Sequence, residues 1–284
     1  MPRRWITATV AVLALVGLAC EGSGGAGRPG RTPTPTRPAQ AMTVAALGDS
    51  ITTGFGSCLA LASCARNSWS TGDGPRVNSL YRRLRAARPN ASISTRNEAS
   101  PGARAAALPD QAAAAVRAGA DYVTVLIGAN DACRGGIDAM TEVAAFRADV
   151  DRALAVLKQG RPTARLLMVS VPDLNRLWEA GHGNAVTARV WSRGVCPALL
   201  ANPTSTAEAD VRRRARFADR VDAYNDQIAA ACRAYGSRCR SDGGAVHRTA
   251  VGLDLVNSLD FFHPNVAGQN RLAEVAWSAS GLSG

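Results

Sequence analysis

A hydroxyl becomes a strong nucleophile only when a base stands ready to take its proton, and this chain carries both kinds of residue in glycine-punctuated segments. Ser50 lies in Leu47-Gly48-Asp49-Ser50-Ile51-Thr52-Thr53-Gly54, directly after an apolar run. Near the C-terminus, Asp260-Phe261-Phe262-His263-Pro264-Asn265 sets a carboxylate three residues before an imidazole. Acyl chemistry also needs donors for a developing oxyanion. Gly102, at the end of Asn97-Glu98-Ala99-Ser100-Pro101-Gly102, offers a backbone N–H that no side chain masks, and Asn130 in Gly128-Ala129-Asn130-Asp131 offers an amide. Each segment alone reads as a polar turn, a helix cap or a turn glycine. Together they supply a nucleophile (Ser50), a base (His263), an orienting acid (Asp260) and oxyanion donors from Ser50, Gly102 and Asn130.

These residues act together only if the fold gathers them. Thr43–Leu47 (TVAAL) and Asp121–Ile127 (DYVTVLI) are apolar runs stopped by glycine, and Ala164–Val171 (ARLLMVSV) is halted by Pro172. Ile93–Thr95 is a weaker fourth strand candidate. Helical spacing of apolar residues marks Val77–Ala87, Leu108–Ala118 and Val143–Leu157, and Phe217–Tyr235 and Pro264–Trp277 complete the set, with Pro264 fitting a first helical turn. Strands alternating with such helices predict an α/β fold, a three-layer α/β/α sandwich around a mostly parallel central sheet. Ligand sites in these sheets lie beyond the carboxyl ends of the strands, where strand order reverses. The Ser50, Gly102 and Asn130 segments each follow a strand.

In their order along the chain, LGDSITTG, the Gly102 segment, GAND and DFFHPN resemble the blocks of the SGNH/GDSL hydrolase family, over roughly Met42 to Trp277. The resemblance implies a flavodoxin-like sandwich and an acyl-enzyme mechanism. Ser50 would attack an ester carbonyl, His263 would carry the proton and Asp260 would hold the imidazole. Activity is then expected to fall as His263 is protonated, giving a neutral to alkaline optimum. The mechanism calls for no metal and no organic cofactor. A lipase or carboxylesterase is favoured, because the six-cysteine arrangement is similar to that of secreted actinobacterial lipases and esterases. The alternatives are a carbohydrate O-acetyl esterase and a non-catalytic lipoprotein that holds a lipid or glycan in the same cleft.

The chain has 284 residues, 46% of them hydrophobic, which supports one large globular domain rather than wholesale disorder. A formal charge of +11 would suggest an anionic partner. Lys158 is the only lysine, however, and only 5% of residues are aromatic, so the balance reads as an Arg-rich solvated surface with no nucleic acid as partner. Arg3 and Arg4 precede an apolar run, Ala8–Ala19, too short to span a bilayer permanently, so residues 1–20 read as a signal peptide. Gly17-Leu18-Ala19-Cys20 resembles a bacterial lipoprotein processing site, which implies lipidation of Cys20 and anchoring to the outer face of the cell membrane. Ordinary secretion with loss of Cys20 is the alternative. Residues 21–41, rich in Gly, Pro and Thr, read as a disordered tether, leaving 42–284 as the hydrolase domain, expected to be a monomer.

Setting Cys20 aside leaves six cysteines, and export makes them candidates for three disulfides. Cys58 with Cys64 and Cys232 with Cys239 would close local loops, leaving Cys133 with Cys196, one of several pairings that six cysteines allow. Zinc is disfavoured, since there is no CxxC pair and no histidine at ligand spacing. Other residues read more plainly. His182 and His247 are expected at the surface, Asp49 and Asp131 as loop braces, and Val211–Arg220 (VRRRARFADR) as a charged helix start facing solvent, with anchoring to an anionic lipid or wall polymer as the alternative. Asn175–Ala209, with Trp178, Trp191, Leu199 and Leu200, is unusually long for a loop. It would form either one wall of an acyl site or a satellite core, with the Cys58–Cys64 loop and Trp69 lining the opposite wall.

Overall fold

A computed structural model describes residues 41–282. The expected signal peptide, the tether up to residue 40 and Cys20 lie outside the described residues. Five strands form one parallel sheet: β1 (Ala41–Gly48), β2 (Ser92–Asn97), β3 (Tyr122–Leu126), β4 (Arg165–Val169) and β5 (Cys239–Ser241). Their spatial order is β2-β1-β3-β4-β5, the doubly wound order whose reversal point lies between β1 and β3. Every residue of β3 is buried, as its unbroken apolar run requires, whereas the polar β2 alternates exposed and half-buried positions at the sheet edge. The fifth strand is an addition to the four read from sequence. Cys239-Arg240-Ser241 has no apolar run, yet it pairs with Leu166–Met168 of β4.

Nine helices are found among the described residues: α1 (Leu80–Ala87), α2 (Leu108–Arg117), α3 (Ala129–Ala132), α4 (Val143–Gly160), α5 (Leu174–Gly181), α6 (Ala185–Trp191), α7 (Pro197–Leu200), α8 (Glu208–Tyr235) and α9 (Val266–Ser280). Contacts between elements place α2, α4 and α8 on one side of the sheet and α1 and α9 on the other, completing the three layers. Local chemistry sets the ends. The Ser79 hydroxyl caps α1 by accepting from the Arg82 N–H at 3.1 Å, while Leu80 and Leu84, four apart, bury one face. That face stabilises the helix by about 1.5 to 3 kcal/mol per leucine.

Several helix boundaries depart from the sequence reading: α1 begins at Leu80, after Val77, and α4 and α9 run on to Gly160 and Ser280. Pro264 does not open α9; it pairs with Val256 in an antiparallel bridge, and Asn265 caps the helix by accepting from the Gly268 N–H at 3.0 Å. α8 begins at Glu208, ahead of Phe217, and its basic start does not simply face solvent. Arg213 ion-pairs with Asp210 at 2.9 Å and donates to the carbonyls of Pro197 and Ala201. Arg214, only 5% exposed, donates to Ser205 O at 2.9 Å and stacks over the Trp178 ring at 4.3 Å. The two guanidiniums therefore fasten α8 to the segment before it. That segment is no open loop, since it holds α5, α6 and α7 around the buried Trp191, Leu199 and Leu200.

Three disulfides lie among the described residues: Cys58–Cys64, Cys133–Cys196 and Cys232–Cys239. Cys133–Cys196 spans 63 residues and ties α7 to the chain after α3. By loop-closure entropy such a link is worth about 4 kcal/mol. Among the described residues one continuous core runs from Val44 to Leu282, with the three disulfides in the same span, so residues 41–284 carry a self-contained folding unit.

Candidate active site

β1 ends at Gly48 with φ +147°, and a Cβ there would stand 2.2 Å from the carbonyl oxygen of Leu126 on β3. Only glycine lets the chain turn at this point while the two central strands stay paired. Gln111 of α2 clamps the turn from both sides, accepting from the Gly48 N–H at 2.8 Å and donating to Gly48 O at 2.9 Å. Beyond it, Thr52 and Thr53 both donate their N–H groups to Asp49 O, each at 3.1 Å. This tight turn holds Ser50 at the end of the strand. From the opposite side, Gln269 of α9 donates to Ile51 O and accepts from the Trp69 N–H, both at 2.9 Å. Trp69 is fully buried and its ring N–H reaches Thr52 Oγ1 at 3.2 Å, so it is a post under the turn and not the wall expected from sequence.

The second half of the site hangs on Asn257. Its Oδ1 accepts from the Leu259 and Asp260 N–H groups at 2.9 and 3.0 Å, and its own backbone and side-chain N–H groups donate to His263 O at 2.9 and 3.2 Å. Within this frame Asp260 Oδ1 accepts from the Phe262 and His263 N–H groups at 2.8 and 3.0 Å. Its Oδ2 lies 2.7 Å from His263 Nδ1, and His263 Nε2 lies 2.9 Å from Ser50 Oγ. A proton on Nδ1 satisfies the carboxylate and leaves Nε2 as a lone-pair acceptor facing the hydroxyl. The Phe55 ring packs at 4.6 Å from the imidazole and Phe262 meets it edge-on at 5.3 Å, which fixes the ring plane. Between Asp260 and Phe262, Phe261 takes a left-handed φ of +52°, and its carbonyl accepts from the Trp191 ring N–H at 3.1 Å.

Three candidate donors, at Ser50, Gly102 and Asn130, follow the carboxyl ends of β1, β2 and β3. Asn130 at the start of α3 donates its amide to Ala103 O at 3.0 Å, which brings it beside the Gly102 turn. Gly102 is exposed with φ +77°, and a Cβ there would meet nothing within 4 Å. Among the described residues neither the Ser50 nor the Gly102 N–H has an acceptor. Both N–H groups are therefore free to donate to a bound acceptor.

Electrostatics divide the three acidic groups near the site. Burial works to raise the Asp260 pKa, but the His263 ring, its charge and the two backbone N–H groups outweigh it and hold the carboxyl below its ordinary value. Asp49 is pushed the other way, up to about 7, chiefly by complete burial, against the lowering effects of the Ile51 N–H and the His263 charge. Its Oδ1 accepts from the Ile51 N–H at 2.9 Å, while Oδ2 is buried without a partner. Burial likewise raises Asp131, whose Oδ2 accepts from the Ala105 N–H at 2.9 Å. Both therefore brace their loops.

Ser50, His263 and Asp260 are thus in direct contact, and Asn130 lies beside the Gly102 turn beyond the neighbouring strands. The two remaining histidines are not bare surface residues. His247 lies 3.0 Å from an Asp222 oxygen and 3.0 Å from Val171 O, and His182 stacks on Trp178 at 4.5 Å. A narrow apolar crevice of about 60 Å³ borders His263, lined among others by Ile51, Leu174, Leu177, Val251 and Phe262. The segment from 175 onward thus contributes Leu177 to this wall while Trp191, Leu199 and Leu200 fill a core. Asn257, Gln111 and Gln269 are supporting residues that sequence reasoning did not find, and Trp191, read as part of a wall or a satellite core, gains the further role of donor to Phe261 O. Gln111 and Gln269 are revealed only by contacts across the fold, and Asn257 by the closed turn it frames.

The sequence profile of the GDSL-like lipase/acylhydrolase family matches residues 46–271. No curated protein matches the chain in sequence. Among solved structures, a candidate GDSL-like lipase from Parabacteroides merdae aligns over 87% of this chain and 98% of its own, with TM-score 0.55 and 14% identity. An acetyl-xylooligosaccharide esterase from Geobacillus, solved as an Arg-to-Ala mutant, aligns over 86% and 95%, with TM-score 0.52 and 17% identity. An extracellular lipase from Streptomyces rimosus aligns over 84% and 99%, with TM-score 0.51 and 18% identity. At these identities the structural likenesses speak for the fold, and the profile match speaks for the family. The chain belongs to the GDSL-like lipase/acylhydrolase family and is a hydrolase of ester bonds.

Proposed function

We propose that this chain is an extracellular serine esterase or lipase working through an acyl-enzyme on Ser50. The observation that carries this reading is the unbroken relay from Asp260 Oδ2 through His263 to Ser50 Oγ, with contacts of 2.7 and 2.9 Å. Ser50 Oγ attacks the ester carbonyl carbon as His263 Nε2 takes its proton. The new oxyanion is held by the N–H groups of Ser50 and Gly102 and by the Asn130 amide. Collapse of this intermediate breaks the bond to the alcohol oxygen, which leaves with the proton from His263. Water then enters, His263 takes a proton from it, and the acid is released as Ser50 regains its hydrogen. Asp260 stays ionised throughout, which its lowered pKa favours, and stabilises the imidazolium.

Export and anchoring through Cys20 belong to the same proposal. They rest on the N-terminal sequence, the three disulfides and the fold shared with a protein described as an extracellular lipase. A carbohydrate O-acetyl esterase is the second reading, favoured by the fold shared with a protein described as an acetyl-xylooligosaccharide esterase. The test is turnover of chromogenic esters of increasing acyl length by wild type and Ser50→Ala. Loss of turnover in the variant supports the serine mechanism, and a collapse of kcat/KM beyond acetyl selects the second reading. A folded wild type inactive on every ester would instead favour a non-catalytic binding role.

A further inference from the structure

The Cys58–Cys64 loop holds leucines where a soluble protein gains nothing by showing them. Leu59 is 88% exposed and Leu61 50%, and Leu259, the residue before Asp260, is 49% exposed. These are three of the five large hydrophobic side chains exposed among the described residues. Leu59 and Leu259, about 200 positions apart in sequence, line one open groove together with Arg76.

The loop is held out by construction. The disulfide closes it, the Gly56 N–H donates to Ala62 O at 3.1 Å, the Cys64 N–H donates to Thr53 O at 3.1 Å, and the Asn67 amide donates to Ser57 O at 3.1 Å. Leu59 itself sits at φ +67°, a conformation leucine rarely adopts, so the loop keeps an apolar residue at its tip despite a local cost. The chain just before the loop is part of the site, since Phe55 packs on the His263 ring and donates its N–H to Ser50 O at 3.0 Å. Arg66 and Arg76 are exposed on the flanking segments, in a chain of formal charge +11.

We infer that Leu59, Leu61 and Leu259 form an interfacial docking surface that seats the site on an anionic lipid surface. The leucines enter the acyl region, Arg66 and Arg76 meet lipid headgroups, and an ester in the lipid layer is presented beside Ser50. The identity of the substrate rests on the ester-hydrolase reading; the docking itself does not.

The experiment uses residues 41–284, which removes any acyl chain on Cys20. Co-sedimentation is measured with vesicles of phosphatidylcholine containing about one-third phosphatidylglycerol, and with pure phosphatidylcholine vesicles. The variants are the double change Leu59→Asn with Leu61→Ser, and separately Leu259→Ser. The wild type is expected to partition onto the mixed vesicles, more weakly onto neutral ones, and less as salt rises. The double variant should lose about tenfold or more in partition, while kcat/KM on a short, water-soluble ester stays within about twofold. Absence of wild-type partition onto either vesicle overturns the proposal, as does equal partition of the variants. A leucine-dependent dimer that does not bind vesicles also overturns it and makes the patch a self-association face. If the soluble ester is not cleaved by the wild type, the ester reading fails while the partition data still decide the docking surface.

Discussion

Asp49 gives the sharpest test of the electrostatics beneath the nucleophile. Its carboxyl is pushed up to about 7 from an ordinary 3.8, first by complete burial, and one of its oxygens has no partner. An acid that is neutral when folded and ionised when unfolded makes the native state bind the extra proton. Stability therefore falls as pH rises through the window between the two values. The loss amounts to about 1.4 kcal/mol per pH unit, and across roughly three units it is on the order of 4 kcal/mol. Asp49→Asn keeps the acceptor for the Ile51 N–H and cannot ionise. The amide it places at the unpartnered position carries its own desolvation cost, but that cost does not change with pH. Urea unfolding with disulfides intact, run on both proteins at pH 4 and pH 8, isolates the effect. Moving from pH 4 to pH 8 should shift the stability difference toward the variant by several kcal/mol. Parallel pH–stability curves for the two proteins would refute the reasoning.

Three further outcomes follow from the geometry. Asn130→Ala should lower kcat by about a hundredfold or more, the worth of one oxyanion donor at roughly 3 to 4 kcal/mol, with KM for a short ester little changed. Asp260→Asn should cut kcat by about a hundredfold or more, because an amide donor facing Nδ1 favours the tautomer that points a proton at Ser50. It should also remove the part of the stability that Asp260 contributes above the ordinary carboxylate range and that wild type loses as pH falls through its lowered pKa, readable as a smaller acid-side decline. Trp191→Phe leaves Phe261 O without its donor, so chemical unfolding should show a loss of about 1 to 3 kcal/mol. Since Phe261 lies between Asp260 and His263, kcat should fall more than KM rises.

The residues that meet at the site were legible because each closes a strand or precedes the last helix, positions that a parallel sheet must gather. Three of the five strands, β1, β3 and β4, carried apolar runs that announce burial, and the polar edge strand β2 left only a weaker trace. β5 did not, because a three-residue edge strand takes its stability from β4 and from the Cys232–Cys239 closure, not from its own side chains. The basic start of α8 misled for a related reason. A charge run usually marks a solvated face, yet Arg213 and Arg214 satisfy carbonyls of a segment whose path no local pattern shows. Trp69 likewise read as a wall, because its bond to Gln269, 200 residues away, leaves no local signal. Pro264 followed a sound rule for helix starts, but Asn265 is the better cap and the proline was free to bridge to Val256.

The central claim is that Ser50 is made nucleophilic by His263, and covalent trapping tests it most directly. Residues 41–284 are treated with a fluorophosphonate and the adduct is located by mass spectrometry. One modification on the Ser50 peptide is expected in wild type, none in Ser50→Ala, and labelling slowed by about a hundredfold or more in His263→Ala. A labelled residue other than Ser50, or ester turnover in a protein that takes no label, would contradict the account.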